Sequence, residues 1–121
     1  MTENRFTVAD RPDEARYVLL DEAADGGPAV IGEESYVDVP GEDDAVQRVL
    51  YHTGVSEDYA GQGLASVLVR AAVEDVIATG RRVVPVCPYV KNWLKKHPEH
   101  DRHVDRPRDA HLRAVRDASS S

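Results

Sequence analysis

At 121 residues, 41% hydrophobic and 31% charged, the chain has room for one domain with a modest core and no elaborate lid over a substrate. A net charge of −7 opposes a phosphate backbone, so no nucleic-acid partner is expected, and it suits a cationic acceptor such as an amine or a lysine side chain. The single cysteine, Cys87, excludes an internal disulfide and a thiolate-rich zinc site. Residues 1–5 lack the regions of a signal peptide, and no apolar run nears the roughly 20 residues that cross a bilayer, so a cytoplasmic protein without a membrane partner is expected.

Strand-like stretches come first. Residues 5–9 alternate around Phe6 and Val8, and residues 15–20 carry Tyr17, Val18, Leu19 and Leu20. Asp25, Gly26, Gly27 and Pro28 mark a turn, after which 29–39 is β-rich up to Pro40 and Gly41. Beyond an acidic loop, 46–55 reads as another strand, which completes an antiparallel meander. The pattern then changes. From 64 to 79 apolar residues recur at helical spacing (Leu64, Leu68, Ala71, Ala72, Val76), and Gly80 stands where a helix ends in a left-handed conformation. Residues 83–87 form a short apolar strand that Pro85 interrupts. Strand, glycine loop, helix and strand make a βαβ unit, and hence a locally parallel pair. A short helix is predicted over 90–96, burying Val90, Trp93 and Leu94. Residues 1–104 are read as one domain, and 105–121 as a charged, flexible tail in which a weak apolar periodicity (Leu112, Val115) permits a marginal helix.

The chemistry-bearing segment runs from Tyr59 through Ala60, Gly61, Gln62, Gly63 and Leu64 to Ala65. Small residues let backbone N–H groups converge on an anion, and the opening of a helix adds unpaired donors and a positive dipole end. Together they suit a pyrophosphate. A P-loop would continue with Gly-Lys-Ser/Thr, and a Rossmann loop would open a parallel sheet; neither is present.

The loop resembles the acyl-CoA pyrophosphate motif of the GNAT superfamily, Arg/Gln-x-x-Gly-x-Gly/Ala. Gly63 and Ala65 match its small positions, and Ala60 replaces its Arg or Gln. Together with residues 51–55, 83–90 and 96–99, it resembles the minimal single-domain GNAT-like N-acetyltransferases, over residues 15 to 103. Where that family reads His-Thr-Glu-Val, this chain has His52, Thr53, Gly54 and Val55, so the carboxylate base is absent. The resemblance implies an α/β (strictly α+β) fold, a mixed and mostly antiparallel sheet with a central CoA-binding helix. It also implies acetyl transfer from acetyl-CoA to a small-molecule or protein amine, with no metal.

On the same resemblance Thr53, Gly54 and Val55 lie along the pantetheine, with the Val55 amide as candidate oxyanion donor. Cys87, Tyr89 and Asn92 complete the cofactor contacts. His52 is a candidate general base, since imidazole is the side chain suited to proton transfer near neutral pH, the alternative being an exposed strand histidine. Cys87 either takes the acetyl group, protonates the leaving CoA, or is a small buried hydrophobe. Tyr89 either donates to the sulfur or is a core aromatic with its hydroxyl at the surface. The spacing of His97, His100, His103 and His111 invites a metal reading, set aside because of the nearby carboxylates and the disorder expected of this region. A direct attack by the amine and a route through Cys87 both remain open. The rival readings are a non-catalytic CoA-binding or regulatory module and a small interaction adaptor.

Overall fold

A computed structural model of the protein describes residues 5–120; the N-terminal stretch read for a signal peptide lies almost wholly outside them. Five strands form one sheet in chain order: β1 (Phe6–Arg11), β2 (Arg16–Asp21), β3 (Ala29–Pro40), β4 (Val46–Val55) and β5 (Arg82–Pro85). Strands β1 to β4 are antiparallel, and β5 joins β4 in parallel after the crossover helix α1 (Leu64–Ala78). Helices α2 (Pro88–Lys95) and α3 (Asp109–Ser119) follow. Among the described residues no helix is long and apolar enough to cross a membrane.

Helix α1 lays Leu64, Leu68, Val69, Ala72, Val73 and Val76 on the sheet, meeting Tyr17, Leu19, Tyr36 and Leu50 in the buried core. Each such side chain contributes on the order of 1.5–3 kcal/mol by leaving water. A polar rivet fixes the helix. The Tyr17 hydroxyl donates to Asp75 of α1 (2.7 Å) and accepts from buried Arg48 (2.9 Å), whose guanidinium is also paired with Asp38 (2.8 and 2.9 Å). The helix ends as expected: Arg81 N donates to Val76 O, Gly80 N donates to Ile77 O, and Gly80 has φ +76°.

Two expectations are corrected. Cys87 does not end the last strand; it is the N-cap residue of α2. Pro85 has no N–H with which to continue the ladder, and Pro88 has the φ that starts a helix, so the strand stops at Pro85. The segment 105–121, expected as a flexible tail, contains α3, which packs on β3 and β4. Its anchor is polar. The buried His111 ring accepts from Arg108 N (2.9 Å) and meets Gln47 Oε1 (2.8 Å), while Gln47 donates to Asp105 (2.9 Å), the partner of Arg82.

Candidate active site

The parallel pair β4–β5 is short. Its register runs from Gln47↔Arg82 to Leu50↔Pro85, and there β5 turns away. The amides of Val86 and Cys87 both donate to Leu50 O (3.0 and 3.1 Å), which closes the ladder. Strand β4 continues through Val55, held from its other side by β3. The register there steps from Ser35↔His52 to Tyr36↔Leu50, so Tyr51 is an extra residue and β4 is bulged where the strands part. The split leaves the β5 side of residues 51–55 without a strand partner, a backbone edge open to an extended ligand.

The glycine loop stands beyond the end of that edge. Gly61 (φ +82°) and Gly63 (φ +71°) adopt the left-handed conformation, and a Cβ at either would meet nothing within 4 Å, so the space over the loop is open. Helix α1 has no side-chain cap, and its first i→i−4 bond runs from Val67 N to Gly63 O at 3.4 Å. The amides of Leu64, Ala65 and Ser66 thus precede the intrahelical ladder at the positive end of the dipole. The approach to the loop is pinned: the Tyr59 hydroxyl donates to Asp21 at 2.5 Å, and Arg5 donates to the same carboxylate at 2.8 Å. The Arg5 guanidinium, with the Tyr59 hydroxyl, holds the Asp21 carboxyl well below the usual carboxylate range.

Side chains alternate along β4. His52 is exposed, with Nε2 3.6 Å from Glu33 Oε2, and a Cβ on Gly54 would stand 3.2 Å from the same nitrogen. A shallow groove of about 220 Å³ runs beside it, lined by Arg16, Glu33, Gly54 and Ser56 among others. Thr53 points the other way. Its hydroxyl donates to Oε1 of Glu34, its register partner on β3, and lies 3.3 Å from Cys87 Sγ. Glu34 is fully buried, and its Oε2 has no hydrogen-bond partner among the described residues. Burial pushes its carboxyl up to about 8, against the Thr53 hydroxyl and the His52 backbone amide, which lower it.

This geometry, a split parallel pair beside an uncapped glycine-opened helix, accompanies a family match. The family model for GCN5-related N-acetyltransferases matches residues 16–104. The chain belongs to that family. Acetyl transfer is the chemistry of GCN5-related N-acetyltransferases, and the protein is an enzyme of that class. No curated protein matches the chain. Among solved structures, a GCN5-like protein from Staphylococcus aureus is 19% identical, covering 90% of this chain and 97% of its own, with a TM-score of 0.56. The ribosomal-protein-alanine N-acetyltransferase of Brucella melitensis is 20% identical, covering 80% and 67%, with a TM-score of 0.48. An aminoglycoside acetyltransferase from an uncultured soil metagenomic sample, solved with sisomicin, is 16% identical, covering 82% and 58%, with a TM-score of 0.49. The staphylococcal likeness bears on the fold, a five-stranded, mostly antiparallel sheet with the helix after β4.

Within this GCN5-related frame the predicted residues divide into groups. Thr53, Gly54 and Val55 lie on the open edge, and Ala60 to Ala65 form the loop and first turn of α1. Cys87 joins Thr53 on one face of β4, whereas His52 stands on the opposite face. Tyr89 and Asn92 are exposed, three residues apart and so on one side of α2. Tyr89 is 41% accessible. His97 and His100 stack on Trp93 at 4.0 and 5.9 Å, which gives those histidines a packing role. Sequence reasoning missed Glu34. A lone glutamate in a β-rich stretch reads as a solvent-facing residue, and only its alternation with Tyr36, which is buried, hinted that it points inward.

Proposed function

We propose that the protein transfers an acetyl group from acetyl-CoA to a primary amine. The observation that carries this reading is the continuity of the open β4 edge with the uncapped start of α1. The residues fit acetyl-CoA at both ends. The pantetheine arm has amide groups of its own and would pair with residues 53–55 as an added strand. The pyrophosphate would sit on the amides of residues 61–65, where two left-handed glycines leave the approach free. Ala60 supplies no side-chain charge there, so phosphate affinity rests on backbone donors.

The acceptor would come from the His52 face. Glu33 places a carboxylate beside the groove and favours a cationic amine, while His52 is the group that takes its proton, directly or through water. The thioester oxygen gains charge as the amine attacks and needs a backbone donor on the open edge, for which the Val55 amide is the candidate. Tyr89 and Asn92 would contact the cofactor from α2. A second reading, a non-catalytic CoA-binding module, is favoured by the absent carboxylate at Gly54 and the absent charge at Ala60.

Release of CoA thiol, followed across a panel of small primary amines and lysine peptides, separates the two. Acetyl transfer predicts release over many turnovers that needs both the amine and the protein and that falls at least about tenfold in His52→Ala. Saturable CoA binding with no release for any amine would favour the module.

A further inference from the structure

The carboxylate that the family motif places on β4 is missing at Gly54, yet a carboxyl group lies within the same site. Glu34 comes from β3, across the ladder from Thr53, and points to the Cys87 side. Three groups stand in line: the Cys87 thiol, the Thr53 hydroxyl and the Glu34 carboxyl. A hydroxyl has one proton to donate. Since Thr53 donates to Glu34, its contact with Cys87 at 3.3 Å is one in which the thiol donates to the hydroxyl oxygen. Both links point from sulfur towards the carboxylate.

The line has no evident structural purpose that apolar residues would not serve better. A buried carboxyl with one oxygen unpartnered costs several kcal/mol in order of magnitude and is the kind of group that is tolerated where chemistry uses it. The titratable groups that face Glu34 are Glu33 beside it on β3, Tyr17 opposite it on β2 with Asp75 of α1 behind, and Cys87. Arg48 and Asp75 already engage the Tyr17 hydroxyl. None of these supplies a cation to Glu34, so its base strength is set by burial.

We infer that Glu34, acting through Thr53, accepts the proton of Cys87 and so lets the Cys87 sulfur take the acetyl group from acetyl-CoA. This rests on the acetyl-CoA reading above and selects the covalent route within it. The sulfur of Cys87 attacks the thioester carbonyl, a Cys87 sulfur–acetyl bond forms, and the CoA sulfur–acetyl bond breaks. The thiol proton passes to Thr53 as the Thr53 proton passes to Glu34, and it returns along the same line to the departing CoA thiolate. Atoms and charge balance without a further reactant. Burial makes the exchange feasible, because a carboxyl lifted to about 8 is a much stronger proton acceptor than an ordinary glutamate. Cys87 is the catalytic residue in this step; Glu34 and Thr53 are positioning residues.

The test needs no knowledge of the acceptor. The protein is incubated with acetyl-CoA and radiolabelled free CoA, without any amine, and label entering acetyl-CoA is followed, with CoA affinity measured by calorimetry on each variant. A covalent acetyl-enzyme exchanges the label. Cys87→Ala should abolish exchange while still binding CoA saturably. Glu34→Gln should slow it at least about 100-fold at unchanged affinity, and should remove the fall in rate that the parent shows as pH drops below about 8. A Glu34→Gln protein that does not fold is replaced by Thr53→Val, which interrupts the same line. Exchange that persists in Cys87→Ala, or a Glu34→Gln variant that exchanges at the parent rate and with the parent pH profile, overturns the inference. So does a parent that binds CoA without exchanging; the acetyl-transfer reading then stands on the direct route. A parent that does not bind CoA removes both.

Discussion

Glu34 and Gly32 show how single positions shape the split. The Glu34 carboxyl, lifted from 4.5 to about 8 by burial, is protonated in the folded protein over a range where the unfolded chain has lost the proton. The folded state thus binds more protons between those values, and its stability falls as pH rises through that window. A slope of up to roughly 1 kcal/mol per pH unit is expected from this group, and urea unfolding of Glu34→Gln against the parent from pH 4.5 to 8 should show it vanish. Gly32 is a matter of space. A Cβ there would meet Gly54 O at 3.0 Å and Leu19 Cβ and Val55 Cγ2 at 3.3 Å. Gly32→Ala is expected to cost about 1–3 kcal/mol in a chemical denaturation curve and, by pushing β4 outward, to weaken CoA binding. Neither role is visible in the sequence, since both depend on which residue lies across the β3–β4 ladder.

The elements themselves were largely legible. Alternation and turn residues located β1 to β4, and helical spacing with a glycine stop located α1, because burial on one face writes a period into the chain. The last strand and the tail were not. Cys87 belongs to the turn into α2 because the ladder ends where Pro85 has no N–H to give. Helix α3 gave only a weak signal, the Leu112 and Val115 periodicity that permits a marginal helix, because its one buried side chain is His111, a polar residue.

That histidine is a latch. Arg108 N donates to Nδ1, so the ring proton sits on Nε2 and is donated to Gln47. Burial holds the His111 pKa below its ordinary 6.5. The unfolded chain therefore takes up a proton first on acidification, and the stability contributed by neutral His111 is present above about 6.5 and lost as pH falls. The hydrogen-exchange protection of residues 109–119, taken against the intrinsic rate at each pH, should fall below that pH, and His111→Ala should be weakly protected at every pH. Protection of those amides that does not change between neutral and acidic pH would contradict the latch.

At the scale of the whole molecule, the sheet does little but hold one edge open. Tyr17, Arg48 and Asp75 clamp α1 to β2 and β4, and Asp21 holds Tyr59 just ahead of the glycine loop, so the two halves of the ligand path keep their spacing. On the proposed reading, a net charge of −7 surrounds a site whose backbone donors would have to attract a polyanion, so the binding energy would come from the local amides and the strand-like pairing, with the overall field against it. Added salt should screen that field and leave CoA affinity equal or improved, the opposite of the loss expected for a site built from lysines and arginines.

The central claim is that this edge and this loop hold the CoA moiety, and calorimetric titration with acetyl-CoA tests it most directly. The structure predicts saturable one-site binding, present also for CoA and absent for acetate, and lost when Gly63 is replaced by a bulky residue in a protein that still folds. No binding at millimolar acetyl-CoA, or undiminished binding in the folded Gly63 variant, would contradict it.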